Sequence, residues 1–260
     1  MPTVFGPATG PRRGPGGRTF DCVDNPKTTS LAVSFRTASD QLEALLPDGF
    51  ELAGEPVVTV RTSYLKEIEW LAGRGYNILG VTFPVTWRGE RDTATGPFLT
   101  VLWENMTEPI ITGREELGYA KIFCNLPEPK IAGAKASTTA DWMGFEFMKL
   151  ELHDLKVSAP APAPAVDGTL HYKYMPRTGE WGTADVAYPV LTPAASPNTR
   201  IVENFAGAGT VTWSRPRWED MPTQYNIVNG IADLEVNEWL GASLTRTVGG
   251  KDLSDQRILY

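Results

Sequence analysis

The chain has 260 residues, a formal charge of −7 and a pI near 5.0, with 42% apolar and 10% aromatic residues. That length buries a substantial core in one large domain or two small ones, and the acidic balance disfavours nucleic acid as a partner, which requires a clustered positive surface. Two cysteines, Cys22 and Cys124, permit at most one disulfide and make no zinc site alone.

Residues 1–25, opening "MPTVFGPATGPRRGPGG", form an arm of Gly, Pro and Arg that holds no packed core. The arm is expected to be flexible, with residues 26–260 forming a single domain. It has no apolar stretch fit for a signal peptide, and nowhere do about twenty apolar residues run together as a membrane helix needs, so the expected location is cytoplasmic. "TTSLAVSFRT" alternates and predicts a strand. "SDQLEALLPDGF" predicts a helix capped by Ser39 or Asp40, apolar along Leu42, Leu45 and Leu46, and stopped by Pro47. "EPVVTVRTSYL" and "NILGVTFPVTWRG" read as strands. A turn-like "RGERDTATGPF" follows, then a strand in "FLTVLWENM".

The next stretch, "GREELGYAKIFCNL", spans residues 113–126. Thr112 and Glu115 fit a capping box, and Gly118 suits a left-handed helix exit. "YAKIFCNL" then predicts a strand with Lys121, Phe123 and Asn125 on one face and Ile122, Cys124 and Leu126 on the other, core-facing side. Beyond it, "KIAGAKASTTADW", "EFMKLELHDLKV", "TLHYKYMPR", "ADVAYPVL" and "RIVENFAGAGTVTWS" read as strands and turns. Residues 158–166, "SAPAPAPAV", read as an extended surface loop, and "QYNIVNGIADLEVNEWLGAS" supplies a mixed tail. Many short strands with a few brief helices predict an α+β, mainly antiparallel β architecture, a sheet or barrel with peripheral helices.

His153 and His171 are the only histidines, and both lie in alternating strands where structural roles are expected. Histidine is therefore not expected to drive catalysis. Lys121 admits two readings. Its face points to water, with the ammonium favoured beside a helix C-terminus. Alternatively the face lines a cavity, where loss of hydration favours a neutral amine that adds to a ketone as a Schiff base. Spacing alone does not choose between them. Cys124, on the opposite face, reads as a buried core thiol.

"LWENMTEPIITGREELGYAKIF", with "VSFRTASDQLEALLPDGFEL" and "EPVVTVRTSYL" before it, resembles the signature of the acetoacetate decarboxylase-like superfamily. The resemblance implies a β-barrel or cone with helices outside. It further implies a lysine, here Lys121, that forms a Schiff base with a small keto acid inside a cavity, and a homo-oligomer, a tetramer or larger. Acetoacetate decarboxylase is itself the standing example of a lysine activated by desolvation or a neighbouring cation.

The chain departs from the decarboxylases of that family at three places. Their second motif lysine is Ile122 here, a strand glutamate falls at Ile78, and an arginine falls at Thr28 beside Lys27. These losses disfavour β-keto acid decarboxylation. They favour a Schiff-base lyase on small 2-oxo acids, a pyruvate aldolase-dehydratase or a 2-oxo-enoate hydratase, with keto acid and aldehyde substrates. Arg114 is the candidate carboxylate fork, Glu115 a proton shuttle or helix cap, and Tyr76 a proton donor or substrate-orienting group. Trp103 and Glu104 are expected to be structural. No Gly-rich phosphate loop or metal cluster calls for a cofactor, and no metal, nucleic acid or membrane partner is expected. A decarboxylase and a non-catalytic acid-binding barrel are the alternatives.

Overall fold

A computed structural model describes residues 2–6, 8–162 and 165–260. Two residues of the proline-rich 158–166 loop, 163 and 164, lie outside the described residues, as do 1 and 7 of the arm. The strands are β1 (Lys27–Arg36), β2 (Phe50–Leu52), β3 (Val57–Ile68), β4 (Arg74–Arg88), β5 (Thr93–Glu104), β6 (Lys121–Phe123) and β7 (Lys130–Ala132). They continue as β8 (Lys135–Trp142), β9 (Phe145–Val157), β10 (Gly168–Pro176), β11 (Ala184–Pro193), β12 (Arg200–Trp213), β13 (Glu238–Val248) and β14 (Arg257–Ile258). Three short α-helices, α1 (Ser39–Glu43), α2 (Thr107–Thr112) and α3 (Tyr225–Ala232), join them.

All the strands belong to one sheet, whose hydrogen-bonded path runs β14-β11-β10-β5-β4-β3-β1-β13-β12-β9-β8-β7, with β2 on β4 and β6 on β5. Pairing is antiparallel except for β10 with β5 and β5 with β6. The mainly antiparallel α+β expectation holds. The path does not close, however, so the barrel is an open mixed sheet with β14 and β7 at its ends.

Strict alternation makes the core. In β4, Leu79, Val81, Phe83 and Val85 are all at most 1% exposed and join the main apolar cluster. Fully burying side chains of this kind contributes about 1.5–3 kcal/mol each. Behind β5 and β6, Trp103 is fully buried, with its ring 5.4 Å from that of Phe147. Its indole Nε1 donates to Gln224 Oε1 at 2.8 Å, and Gln224 Nε2 donates to the Phe123 carbonyl at 3.0 Å. One buried amide thus ties β5 to β6.

Three local expectations are corrected. The first helix is capped by Ala38 through backbone geometry alone, with Ser39 and Asp40 inside its first turn. The "TATGPF" segment belongs to β5 rather than to a turn, because Ala94 and Phe98 point into the core. Thr112 is no N-cap: α2 begins five residues earlier, and the Thr112 hydroxyl donates to the Glu108 carbonyl at 2.9 Å. The helix runs through Thr112 into a π-helical turn, Gly113–Leu117, and ends at Gly118, whose φ of 77° is the left-handed exit expected of it.

Candidate active site

Alternate residues of β4 that turn away from the core (Tyr76, Ile78, Gly80, Thr82 and Pro84) line a cavity of about 820 Å³. Leu102 and Glu104 of β5 and Lys121 of β6 complete this wall. A second cavity of about 250 Å³ shares Tyr76 and Lys121, and is bounded by Phe20, Cys22 and Pro26 from the N-terminal segment and by Pro109 of α2. Lys121 therefore stands in the partition between two cavities.

Lys121 is 5% exposed and Glu104 0%. The ammonium nitrogen lies 2.8 Å from Glu104 Oε1 and donates to the Pro109 carbonyl at 3.0 Å. The contact with Glu104 is an ion pair by distance, and neither carboxylate oxygen meets a well-angled hydrogen-bond donor among the described residues. Burial raises the Glu104 carboxyl above the usual range, and the adjacent Lys121 ammonium draws it back in part. Nζ also sits 5.9 Å from the Tyr76 ring centre and 5.4 Å from that of Tyr119. Burial, reinforced by Glu104, holds the Tyr76 hydroxyl well above an ordinary tyrosine, so it remains a proton donor.

The π-helical turn makes room for the amine. Gly113 has ordinary helical angles, φ −64° and ψ −39°, so its backbone accepts any residue. A Cβ there would nevertheless overlap the Lys121 side chain. Gly113 is glycine because the lysine passes over it.

Behind Tyr119 lies a buried polar chain. His171 is fully buried, stacked on Tyr119 at 4.2 Å between ring centres. Its Nδ1 donates to the Gly118 carbonyl at 3.0 Å, and Nε2 accepts from the Thr192 hydroxyl at 3.1 Å. Burial pushes His171 down to about 4, against the pull of the Gly118 carbonyl, so the ring is neutral at pH 7. The Tyr119 hydroxyl bonds Thr192 Oγ1 at 2.8 Å and accepts from Gln256 at 3.0 Å, and burial raises it to about 12.

Of the residues singled out from the sequence, Lys121 and Tyr76 meet at the cavity. Arg114 does not line either one: its Nη1 donates to the Lys121 carbonyl at 3.0 Å, bracing the backbone that carries the amine. Glu115 is exposed, and its carbonyl accepts from Lys173 at 2.6 Å. Both lie in the π-helical turn Gly113–Leu117, which continues α2 instead of starting at a Thr112 cap. Glu104 turns into the cavity while Trp103 takes the core side, as strand alternation requires. Glu104 also stands directly across the ladder from Ile78, the position where the family glutamate falls. Cys124 is fully buried and its thiol is pushed up by that burial; Cys22 is raised to about 11. Both cysteines are free. Exposed His153 pairs with Asp154 at 2.8 Å. Among the described residues no cluster of His, Cys, Asp or Glu gathers to hold a metal ion, and no helix is long and apolar enough to cross a membrane.

A buried lysine–carboxylate pair in the wall of a cavity on one face of a mainly antiparallel sheet defines the class of site. Residues 1–252 match the family described as acetoacetate decarboxylase (ADC), and the chain belongs to that family. An acetoacetate decarboxylase of Clostridium botulinum is 25% identical over 153 residues, 53% of this chain and 59% of that protein. Among solved structures, an acetoacetate decarboxylase-like enzyme from Sphingomonas wittichii RW1 superposes with a TM-score of 0.66 at 20% identity, covering 93% of this chain and 94% of that one. The enduracididine biosynthesis enzyme MppR complexed with pyruvate gives 0.62 at 15% identity, covering 95% of each chain. At these identities the structural likenesses show the fold.

Proposed function

We propose that the chain is a Schiff-base lyase acting on small 2-oxo acids through an imine on Lys121, as a pyruvate aldolase-dehydratase or 2-oxo-enoate hydratase. The observation that carries this reading is the buried Lys121–Glu104 pair facing the large cavity. The carboxyl of Glu104, raised by burial, is a suitable acceptor for the Lys121 proton when a keto acid enters the cavity. The neutral amine then adds to the ketone of a 2-oxo acid, and loss of water leaves the iminium. With its proton passed to that departing water, Glu104 removes a proton from the carbon next to the iminium and an enamine forms. The enamine carbon bonds to an aldehyde carbon, whose oxygen takes a proton from Glu104 or Tyr76. Loss of that hydroxyl as water, and hydrolysis of the imine, release the unsaturated product and free amine. Run in reverse from an enoate, the same steps hydrate it. The pyruvate-bound relative of the same fold supports this substrate class.

Decarboxylation of a β-keto acid is the second reading, since the curated relative is named for it. Against it stand Ile122, where a second cation is absent beside the amine, and Ile78, an apolar cavity wall in place of a glutamate. Intact-mass measurement after borohydride reduction tests both. A pyruvate adduct that disappears in Lys121→Ala, without CO₂ release from acetoacetate, supports the lyase. CO₂ release establishes the decarboxylase. No adduct with either keto acid leaves an acid-binding cavity and refutes imine chemistry.

A further inference from the structure

The other arginines of the central strands are partnered: Arg36 by Glu55 and Glu238, Arg88 by Glu51, Arg246 by Glu203, and Arg74 by the Leu71 carbonyl, to which its Nη1 donates at 3.2 Å. Arg61 is not. Its side chain lines the large cavity and has no ion pair or hydrogen bond among the described residues. It is open to the solvent of the cavity yet ringed by protein, and that enclosure lowers its pKa with no carboxylate opposing.

The register locates it relative to the amine. Arg61 pairs with Gly80, Gly80 with Leu102, and Leu102 with Lys121. These four residues form one row across β3, β4, β5 and β6, all lining the same cavity. Three strand spacings separate the ends of the row by roughly 14 Å. The floor between is apolar: the Leu99 and Leu102 side chains close over Gly80, where a Cβ would meet both at 3.2 Å. Lys121 turns from this row toward Glu104 and Pro109, so the row leaves length for an extended chain between the amine and the guanidinium. A cavity of about 820 Å³ is also far larger than pyruvate needs.

We infer that Arg61 anchors a second, distal carboxylate, so that the cavity takes linear 2-oxo acids carrying an acid group at each end, or their aldol precursors. The keto end meets Lys121, the methylene chain lies over Gly80 and Leu102, and the far carboxylate accepts two parallel hydrogen bonds from the guanidinium. This assignment rests on the reading of Lys121 as the imine-forming group.

The test compares 2-oxooctanedioate with 2-oxooctanoate, which differ only in the far acid group. Binding is measured calorimetrically on the full chain, in the wild type, Arg61→Gln and Arg61→Lys, with borohydride trapping of the wild type in parallel. The expected wild-type preference for the diacid is about tenfold or more, the scale of a hydrogen bond to a charged group. Arg61→Gln should reduce it to within about twofold, and Arg61→Lys should recover part of it, since a point charge replaces the fork. A wild type without the preference, or a preference that survives in Arg61→Gln, overturns the assignment even if pyruvate adducts form. A preference lost in Arg61→Gln, with no adduct to any keto acid, keeps the anion site and refutes the lyase.

Discussion

Replacing Glu104 by leucine removes the carboxylate that pairs with an ammonium that is 5% exposed. Breaking a buried pair from one side leaves the other charge uncompensated, at a cost of about 3–5 kcal/mol. For a chain of this size that is a drop in melting temperature of about 10 °C. Lys121→Met should cost less, about 1–3 kcal/mol, because the Glu104 carboxyl, already raised by burial, sheds its charge by taking a proton. The sign follows from that direction. A carboxyl raised in the folded state contributes stability at low pH that is lost as pH rises through its folded value. Lys121→Met should therefore be more stable at pH 5 than at pH 8. The double variant, near the original volume and without charge, should return close to wild type. Urea unfolding of all four proteins at pH 7 gives the coupling directly. If the two single losses simply add up to that of the double variant, the groups are energetically independent. Glu104 would then not be the proton acceptor of Lys121, and the mechanism derived above fails.

Two further outcomes follow from the same geometry. Gly113→Ala should cost about 1–3 kcal/mol and slow pyruvate trapping, because its methyl overlaps the lysine side chain. In a Lys121→Ala background the same change should instead stabilise by up to about 1 kcal/mol through helix propensity, and urea unfolding of the two pairs would expose any failure of that sign reversal. His171, folded at about 4 against an ordinary 6.5, takes up a proton more readily when unfolded. Its contribution is therefore present above about pH 6.5 and lost as pH falls toward 4, amounting to roughly 3 kcal/mol; an imidazole whose NMR shifts titrate near pH 6.5 in the folded protein would contradict its burial as the cause.

The order of amino acids alone located β1, β3, β4 and most of the later strands along the chain, because period-two alternation is a local property of the chain. The "GREELGYAKIF" motif likewise singled out Lys121, and Gly118 showed its left-handed role, since one residue's conformational freedom needs no partner to be read. Sequence did not distinguish an ammonium in water from one in a cavity. That depends on which face of β6 the rest of the sheet covers. Glu104 was passed over for the same reason: it lies seventeen positions before Lys121, and only the parallel β5–β6 pairing brings the carboxylate to the amine. Arg61 lies on the polar face of an alternating strand, a pattern that reads alike whether the face meets bulk water or a cavity. The capping box at Thr112 failed because α2 starts earlier and changes pitch to let a lysine pass over Gly113. Alternation and turn chemistry are written locally; the charge partners of the site are set by strand register, which only the assembled sheet decides.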